Sequence, residues 1–455
     1  MAVAALGASL WLPPQEFSSF PLWIDRRRGP CFPRIRALAA RKNANAAVSS
    51  PSVMLVSDLD FTMVDHKDQT HSSLLDFASL WEAEYSRDCH LVFSSGRSPE
   101  KYLDLRRQVP LLTPDTIICS VGTEIRYGPS MTPDNGWEEH LDEGWNREII
   151  VEEAKKIATL HFQEDSEQRP HKVSFKVEKK DAEEIIRRFS KKFKELKLDA
   201  KLIYSGGIDL DVLPQRAGKG EALAYLMKKA NSEGWAKERV LVCGDSGNDV
   251  ELFTVKGVNG VIVGNAFDEL VKWYSSQSSK DHIHFASNRC AGGIIEALKF
   301  FDMGPALPPR ERPGGNSNGA ASPRREIVDF YIFFDKWVKG DIPNTDEAFQ
   351  RLTSVIAEDA RMVYPWGEEL NLLQSLAVVR GQHGAFQGKE LRTWVDSIQE
   401  QELAPGVYLA TWQSWEQPSG ENRKGYYATA VFKDKKGAPN GVEWLRVHQT
   451  PQKQK

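Results

Sequence analysis

Short runs of apolar residues, each followed at once by polar residues, recur through the first half of the chain. Val53–Val56 is such a run, Leu91–Phe93 is a second and Thr116–Val121 is a third, with helical spacing from Ser72 to about Tyr85 after the first. Short buried strands that alternate with helices predict a parallel sheet with crossover connections. Ligands of such sheets bind beyond the carboxyl ends of the strands, so the polar residues after these runs are expected to converge on one site.

The middle of the chain has a different pattern. Helical periodicity at Arg147–Ile157 and Asp181–Leu196 is interleaved with strand-like alternation at Lys172–Glu178 and Lys201–Tyr204. This mixture predicts a small α+β insert.

The parallel pattern is expected to return after Gly207. The segments that carry it are a strand at Asp209–Leu213, a helix at Gly220–Asn231, strands at Val240–Cys243 and Val261–Val263, and a helix at Gly292–Phe301. These segments complete the core that the first runs begin.

A change of composition marks the end of this core. Residues Gly304–Arg325 contain five prolines and many glycines, which is typical of a flexible linker. Amphipathic helices at Asp329–Lys339 and Thr345–Ile356 then precede strand patterns, which predicts a separate α+β domain. The strand patterns are Gly406–Glu416, Gly425–Phe432 and Val442–His448.

Composition narrows the possible functions. Apolar residues make up 41% of the chain, charged residues 27%, and the net charge is -4, so nucleic acid is not an expected partner. No stretch approaches the roughly 20 apolar residues of a membrane span, and the five cysteines lack metal-finger spacing. The first fifty residues carry seven basic side chains against two acidic ones, which suits either an organelle transit peptide or a disordered extension.

The first candidate for chemistry is the acidic pair Asp58 and Asp60, which follows the Val53–Val56 run. Residues two apart near a strand end point the same way. One carboxylate can attack an electrophile while the other donates and accepts the proton, since mutual repulsion separates their pKa values. A turn or a helix cap is the alternative use of such a pair.

Three further polar clusters follow predicted elements. Ser95, next to Gly96, offers a hydroxyl and backbone N–H groups that could hold phosphoryl oxygens. Lys219 lies just before a predicted helix, and its ammonium could neutralise charge on a transferring phosphoryl group and on the attacking carboxylate. Asp245, Asn248 and Asp249 lie in a glycine-containing loop whose oxygens suit Mg²⁺. Each cluster alone has an ordinary structural explanation, but their order along the chain favours a single catalytic site.

These motifs resemble a known superfamily. Asp58–Thr62 matches the DxDxT motif of the haloacid-dehalogenase-like phosphatases, Ser95 their second-motif hydroxyl, Lys219 their third-motif lysine, and Asp245 with Asp249 their fourth-motif acids. Longer segments resemble the plant sucrose-phosphate phosphatases within that superfamily. They are Val56–His66, Phe93–Tyr102, Ser120–Ile125, Glu167–Phe175, Tyr204–Gly220 and Cys243–Phe253.

The resemblance implies a fold and a reaction. The fold is an α/β, Rossmann-like parallel-sheet core with an inserted α+β cap, followed by a separate α+β C-terminal domain. The reaction is Mg²⁺-dependent hydrolysis of sucrose 6-phosphate, the last step of sucrose biosynthesis, through an aspartyl-phosphate intermediate. The expected boundaries are an extension at 1–50, core segments at 51–127 and 215–302, the cap at 128–214, a linker at 303–325 and the C-terminal domain at 326–455.

The resemblance also implies residue roles. Asp58 is the nucleophile, Asp60 the general acid and base, and Ser95 and Lys219 hold the phosphoryl oxygens. Mg²⁺ is expected at Asp58, Asp245, Asp249 and the Asp60 carbonyl, with Thr62, Gly96 and Asn248 orienting the groups around it. The implied substrate contacts are Arg97, Gln168, His171, Lys172 and Ser174.

Two residues depart from the family pattern. Phe61 stands where the plant family usually has His, and Ser95 where it usually has Thr. The first change is expected to alter packing more than chemistry. The second keeps the hydroxyl and removes a methyl group that restricts its rotamers, so a modest loss of positioning is expected.

Several alternatives stay open at this point. Another sugar phosphate would need the same catalytic residues, and a non-catalytic scaffold that docks sucrose-phosphate synthase is a different class of function. The resemblance implies the cytosol, whereas the basic extension suggests the chloroplast; the synthase is a candidate partner and a homodimer a candidate assembly. Five tryptophans of the last domain could form a sugar or partner surface, with core packing the favoured use: Trp366, Trp394, Trp412, Trp415 and Trp444.

Overall fold

The fold is described from a computed structural model that covers residues 52–205, 207–311, 321–418 and 420–453. The predicted extension at 1–50 and residues 312–320 of the predicted linker lie outside the described residues. The strands are β1 (Val53–Ser57), β2 (His90–Ser94), β3 (Thr116–Cys119), β4 (Glu124–Tyr127), β5 (Thr132–Pro133), β6 (His161–Phe162), β7 (Val173–Lys176), β8 (Ala200–Ser205), β9 (Asp209–Pro214), β10 (Arg239–Gly244), β11 (Asn259–Ile262), β12 (Ile283–Phe285), β13 (Ile356–Val363), β14 (Glu369–Asn371), β15 (Leu391–Ala404), β16 (Val407–Pro418), β17 (Lys424–Asp434) and β18 (Val442–Pro451). The α-helices are α1 (Ser72–Leu80), α2 (Pro99–Gln108), α3 (Asn135–Asp142), α4 (Arg147–Ala154), α5 (Lys179–Leu196), α6 (Lys219–Glu233), α7 (Val250–Phe253), α8 (Asp268–Ser276), α9 (Cys290–Phe300), α10 (Pro323–Lys339), α11 (Asp346–Thr353) and α12 (Leu372–Gly381).

The large sheet positions the predicted site. In the described residues it has eight strands in the order β12-β11-β10-β1-β2-β3-β4-β5, and all neighbours from β12 to β3 are parallel. Leu55 of β1 pairs with Leu241 of β10 on one side and with Leu91 of β2 on the other. The predicted parallel sheet is therefore confirmed, and the ends of β1, β2 and β10 lie side by side.

Helices cover both faces of this sheet. Val53 and Leu55 of β1 pack into one apolar cluster with residues of α1 and α9, whereas Met54 and Val56 pack into a second with residues of α6. Burial on both faces explains why β1 is an uninterrupted apolar run rather than an alternating one.

The insert has its own four-stranded antiparallel sheet, in the order β6-β7-β9-β8. Phe175 of β7 and Leu210 of β9 pack in one apolar cluster with Ile185, Phe189 and Phe193 of α5. These helix residues are spaced at i, i+4 and i+8, the periodicity of an amphipathic helix. The large sheet itself continues past Gly128 through β5.

One predicted strand belongs to the other sheet. Asp209–Leu213 was expected to resume the parallel core, but β9 pairs antiparallel with β7 and β8, so this prediction is wrong. The strand is central in its sheet and almost wholly buried from Leu210 to Pro214. A central strand covered on both faces reads like a parallel core strand, because neither shows clean alternation.

The C-terminal domain is built on one mixed sheet, whose strands in the described residues have the order β14-β13-β18-β17-β16-β15. Helix α10 packs on it through Ile327, Val328 and Tyr331. The predicted helix Thr345–Ile356 is shorter than expected, since α11 ends at Thr353 and Ile356 opens β13. Of the five tryptophans for which core packing was the favoured use, Trp394, Trp412, Trp415 and Trp444 are buried. Trp366 is 44% exposed and stacks on Tyr364.

Buried polar contacts join the domain of the large sheet to the C-terminal domain. Glu82, in a π-helical turn after α1, accepts hydrogen bonds from the backbone N–H groups of Ser397 (2.9 Å) and Ile398 (3.1 Å). Both groups lie at a register shift in β15 between Asp396 and Gln399, where they are free of the strand pairing and bond to Glu82. Arg324, in the first turn of α10, donates to the Ile398 carbonyl oxygen at 2.8 Å and is buried, so the end of the predicted linker is part of this joint.

The described residues contain no helix that is both long and apolar enough to cross a lipid bilayer.

Candidate active site

The ends of the parallel strands form the floor of a cavity of about 470 Å³. Asp58 follows β1, Gly96 follows β2, and Asp245 and Asn248 follow β10, and all four line it. The opposite wall comes from the insert. The parallel sheet thus brings together residues that are far apart in sequence.

Lys219 links two carboxylates beneath the floor. Its Nζ atom lies 3.0 Å from Asp58 Oδ1 and 2.7 Å from Asp249 Oδ1. Lys219 is fully buried, which by itself would lower the pKa of its ammonium, but the two carboxylates hold that pKa above its ordinary value. The lysine is therefore a fixed positive charge beside Asp58.

Asp249 fixes the loop that carries Asp245. Its Oδ2 atom accepts the backbone N–H groups of Asp245 and Ser246, both at 3.1 Å, while its Oδ1 atom accepts from Lys219. Asp245 in turn accepts a hydrogen bond of 2.7 Å from the hydroxyl of Thr62. Thr62 and Asp249 are both fully buried, so they orient other groups rather than meet solvent.

Asp58, Asp245 and Asp249 form an acidic group suited to a cation. One carboxylate oxygen of each lies within 4.8 Å of the others. Burial, opposed by Lys219, raises the pKa of Asp58 to about 7, and burial together with the Asp58 and Asp249 charges raises that of Asp245 to about 9. When all three carboxyls are ionised, the one ammonium leaves two negative charges, which a divalent cation would neutralise.

The donor set fits magnesium in kind. Carboxylate and amide oxygens are the ligands that hard divalent cations prefer. Asn248 lines the same cavity, and its Oδ1 atom is buried with no hydrogen-bond partner among the described residues. The residues present therefore fit an oxygen-liganded cation.

Asp60 lies on the cavity wall, where the side chains of Arg97 and His66 contact its carboxylate. Arg97 donates from Nε to Oδ2 and from Nη2 to Oδ1, both at 2.7 Å, and His66 Nε2 lies 2.6 Å from Oδ1. Burial would raise the pKa of Asp60, but the contacts with Arg97 and His66 hold it well below its usual range. His66 was not singled out from the sequence.

Ser95 supports the loop from beneath. Its Oγ atom accepts the backbone N–H of Arg97 at 3.1 Å, and its own N–H donates to the Ile118 carbonyl oxygen at 2.8 Å. Ser95 is buried and does not line the cavity, whereas Gly96 and Arg97 do.

Phe61 has the backbone conformation that its place in the loop requires. Its φ angle is 61°, and its carbonyl oxygen accepts from Asn265 Nδ2 at 2.7 Å and from Cys290 Sγ at 3.2 Å. Its ring packs edge-on against Phe267 at the cavity, with centroids 6.0 Å apart. The side chain at this position therefore shapes the wall of the cavity.

Of the four insert residues expected to contact substrate, only Lys172 lines the cavity. Its Nζ atom lies 3.0 Å from Glu167 Oε2 and 3.6 Å from Asp211 Oδ1. Burial would lower the pKa of Lys172, but Asp211 and Glu167 hold it above its ordinary value. Lys172 is a charged ammonium with two carboxylate partners.

The other three lie behind that wall. Gln168 bonds to the backbone of Gln163 and Ser174, and His171 Nε2 lies 2.8 Å from Asp142 Oδ1. Ser174 donates from Oγ to Asp211 Oδ1 at 2.6 Å. Ser174 therefore orients a cavity residue, while Gln168 braces the backbone.

Sequence reasoning missed most of the insert wall. One signal was available, because Asp209 and Asp211 are two apart on one strand and so share a face. The residues concerned are Gln163, Glu164, Glu167, Lys176, Ser205, Asp209 and Asp211, with Lys101 from α2.

Two family models and several curated relatives match the sequence of this chain. Residues 51–302 match the family described as sucrose-6F-phosphate phosphohydrolase, and residues 323–453 match that described as sucrose-6-phosphate phosphohydrolase C-terminal. The chain is 45% identical over 406 residues to sucrose-phosphatase 2 of Nicotiana tabacum, covering 88% of this chain and 95% of that protein. Probable sucrose-phosphatase 2 of Arabidopsis thaliana is 46% identical over 411 residues, with 88% and 95% covered.

A solved structure is similar to about half of the chain. The sucrose-phosphatase from Synechocystis sp. PCC6803, in complex with sucrose and phosphate, is 34% identical with a TM-score of 0.50. The similarity covers 55% of this chain and 98% of that one. Family models thus match both residues 51–302 and residues 323–453, and the resemblance of the motifs is confirmed. The chain belongs to the sucrose-6F-phosphate phosphohydrolase family.

Proposed function

We propose that this phosphatase hydrolyses sucrose 6-phosphate to sucrose and phosphate, with Asp58 as the nucleophile. The observation that carries the proposal is the buried contact of Lys219 with both Asp58 and Asp249, beside Asp245, at the floor of the cavity. A carboxylate aligned by a fixed ammonium is suited to attack phosphorus. Family membership supplies the substrate class.

In the first step, an Asp58 oxygen attacks phosphorus as the bond from phosphorus to the sugar oxygen breaks. Asp60 takes up a proton when its contact with Arg97 loosens on substrate entry. It gives that proton to the leaving sugar oxygen, and the phosphoryl group stays on Asp58 as an aspartyl-phosphate. In the second step, water attacks phosphorus, Asp60 takes a proton from it, and the bond to Asp58 breaks. Lys219 remains charged throughout and stabilises the negative charge on the phosphoryl oxygens.

Magnesium is the proposed cofactor. Asp58, Asp245 and Asp249 would hold it, with the Asp60 carbonyl oxygen as the family resemblance implies, and it would supply positive charge against the phosphoryl oxygens. Asn248 is proposed to orient the groups around the magnesium ion. Its Oδ1 atom, which has no hydrogen-bond partner among the described residues, supports that role.

Sugar recognition is proposed for the insert wall. Lys172, Glu167 and Asp211 offer a donor and two acceptors, the complement that sugar hydroxyls need. Among the insert contacts implied by resemblance we retain Lys172, with Ser174 holding Asp211 in place. The solved relative in complex with sucrose and phosphate supports this substrate class.

A phosphate-release assay with the purified full chain tests the proposal. Sucrose 6-phosphate is compared with trehalose 6-phosphate and glucose 6-phosphate, each with Mg²⁺ and with a chelator. We expect Mg²⁺-dependent release that is fastest from sucrose 6-phosphate and is lost in Asp58→Asn. Faster release from another sugar phosphate would correct the substrate, and ordinary turnover by Asp58→Asn would overturn the mechanism.

Three proposals about cellular context rest on family membership. The cytosol is the proposed compartment, with the basic extension at 1–50 as the argument for the chloroplast. Sucrose-phosphate synthase is the proposed partner, and a homodimer the proposed assembly. Fractionation of cells that express the tagged full chain, followed by co-purification and light scattering, tests all three.

A further inference from the structure

Two phenyl rings interrupt the polar lining of the catalytic cavity. Among the described residues that line it, Phe61, Val121 and Phe267 are the only ones with an apolar side chain. Val121 is buried, whereas Phe61 is half-buried and Phe267 is 46% exposed. The two rings, here called the aromatic pair, therefore offer apolar surface to whatever fills the cavity. Apolar surface of this kind inside a pocket is typical of a binding site.

The aromatic pair is fixed to the floor of the cavity. Its ring centroids are 6.0 Å apart, and the ring planes are nearly perpendicular at 89°. The Phe61 N–H donates to the Val64 carbonyl oxygen at 2.9 Å, and the Phe267 N–H donates to the Asp245 carbonyl oxygen at 2.8 Å. The Phe267 carbonyl oxygen accepts from the Leu270 N–H at 3.0 Å, at the start of α8. The backbone on both sides of the ring contact is thus held by hydrogen bonds.

His66 places the aromatic pair next to the proposed acid. Its Nε2 atom lies 2.6 Å from Asp60 Oδ1, and its ring meets the Phe61 ring edge-on with centroids 5.1 Å apart. Phe61 also follows Asp60 directly in the sequence. A group bonded to the oxygen that Asp60 protonates is therefore within reach of the aromatic pair.

We propose that the aromatic pair binds the apolar face of the sugar ring that carries the phosphate. The inference rests on the proposed function, because it needs a sugar as the leaving group. A sugar ring has hydroxyl groups on its rim and C–H groups on its faces, so it needs both polar and apolar partners. Lys172, Glu167 and Asp211 of the insert wall supply the polar partners, and the aromatic pair supplies the apolar one.

Phe61 makes this apolar surface a property of this chain. The plant family usually has His at this position, so Phe61 replaces a polar ring by an apolar one at the cavity. Loss of a few apolar atoms from such a contact changes selectivity about tenfold. The aromatic pair should therefore favour a ring-shaped leaving group over a leaving group of one carbon.

Steady-state phosphate release from sucrose 6-phosphate and from methyl phosphate, which has no ring, tests the proposal. In Phe267→Ser the exposed ring is gone, so we expect KM for sucrose 6-phosphate to rise about tenfold with kcat within twofold. KM for methyl phosphate should change less than twofold. Inhibition by the product sucrose should weaken by the same factor as KM rises. Phe267→Leu keeps most of the apolar area and should lose less than threefold.

A matched control and a folding control accompany these variants. Phe300 is 60% exposed and does not line the cavity, so Phe300→Ser should leave both KM values within twofold. Phe267 is the N-cap residue of α8, a position where Ser is favourable, so Phe267→Ser is expected to fold. Thermal unfolding of each variant verifies this.

The outcomes separate this proposal from the proposed function. If the wild type hydrolyses sucrose 6-phosphate and Phe267→Ser leaves its KM unchanged, only the role of the aromatic pair is wrong. An equal rise of KM for methyl phosphate would also overturn it, because the pair would then support the floor. If the wild type prefers another sugar phosphate, the proposed substrate is wrong, and the same variants are compared on that sugar phosphate. Release from methyl phosphate but from no sugar phosphate would overturn both proposals.

Discussion

Arg97 engages both carboxylate oxygens of Asp60, through two hydrogen bonds of 2.7 Å each. A bidentate contact of this kind fixes the orientation of the carboxylate as well as its charge. It also holds the pKa of Asp60 low, together with the contact from His66. An acid that must give a proton to the leaving sugar oxygen therefore needs Arg97 to loosen when substrate enters.

Replacing Arg97 should affect substrates according to their leaving groups. In Arg97→Gln the carboxylate of Asp60 loses its alignment, so we expect turnover of sucrose 6-phosphate to fall at least tenfold. An aryl phosphate, whose leaving group needs no proton, should lose less than threefold in its phosphorylation step. Stopped-flow measurement of aryl release and steady-state phosphate release check this, with exposed Arg187→Gln on α5 as the control. Equal losses on both substrates would remove the positioning role.

Replacing Asp60 itself should stop the cycle midway. General acid–base catalysis contributes about 10²–10⁴ in rate, so Asp60→Asn should lose that factor on the sugar phosphate. On an aryl phosphate it should give a burst of one equivalent and then stall, because no base activates water. Asp65→Asn, whose carboxylate pairs with Arg289 outside the cavity, is the matched control. A burst-free variant with normal turnover would assign the base elsewhere.

Removal of the metal should have a pH-dependent effect on stability. The raised pKa values of Asp58 (about 7) and Asp245 (about 9) mean that these two carboxyls bind more protons in the folded, cation-free protein than in the unfolded chain above about pH 4. Their contribution to stability therefore falls as pH rises from the unfolded values toward the folded ones. A bound divalent cation removes this penalty.

Thermal unfolding with MgCl₂ and with a chelator, at pH 5.5, 7 and 8.5, measures this difference. We expect the shift of Tm caused by Mg²⁺ to grow with pH. In Asp245→Asn one repelling charge is gone, so the cation-free protein should lose less stability on the alkaline side. A shift that is the same at all three values would contradict the assignment of these carboxylates.

The joint between the halves should contribute strongly to stability. Glu82→Ala leaves the N–H groups of Ser397 and Ile398 buried without an acceptor, so we expect a loss of about 2–5 kcal/mol. Arg87→Ala at the same joint breaks only a surface pair with Glu400 and should cost less than about 1 kcal/mol. Urea unfolding of both variants gives the comparison. Similar losses would mean that the burial of Glu82 has no energetic role.

The floor of the site could be predicted from the sequence because the end of each buried strand is visible locally, as a change from apolar to polar residues. Asp58, Gly96 and Asp245 each follow a short apolar run, and parallel pairing of β1, β2 and β10 then places them together. Lys219 was expected after a parallel strand and instead follows β9 of the insert. It still reaches Asp58, because α6 begins next to the floor.

The insert wall and the C-terminal sheet depend on long-range pairing. Asp211 meets Lys172 only once β7 and β9 pair within the insert, and no local sequence pattern predicts which strands pair. Strand β15 was missed because Trp394 and Val395 are both buried, on opposite faces, and the shift after Asp396 breaks the period. Alternation is visible only where one face meets solvent.

The last prediction separates substrate contact from structural support in the insert. Lys172 lines the cavity, whereas the ring of His171 is directed at Asp142. We expect Lys172→Gln to raise KM for sucrose 6-phosphate about tenfold with little change for an aryl phosphate, because only the sugar reaches the insert. His171→Ala should leave both KM values within twofold. Loss of Lys172 also leaves Glu167 and Asp211 without their partner, so Lys172→Arg, which keeps the charge, distinguishes a misfolded insert from a lost contact. An increase of KM in His171→Ala equal to that in Lys172→Gln would return His171 to the substrate contacts.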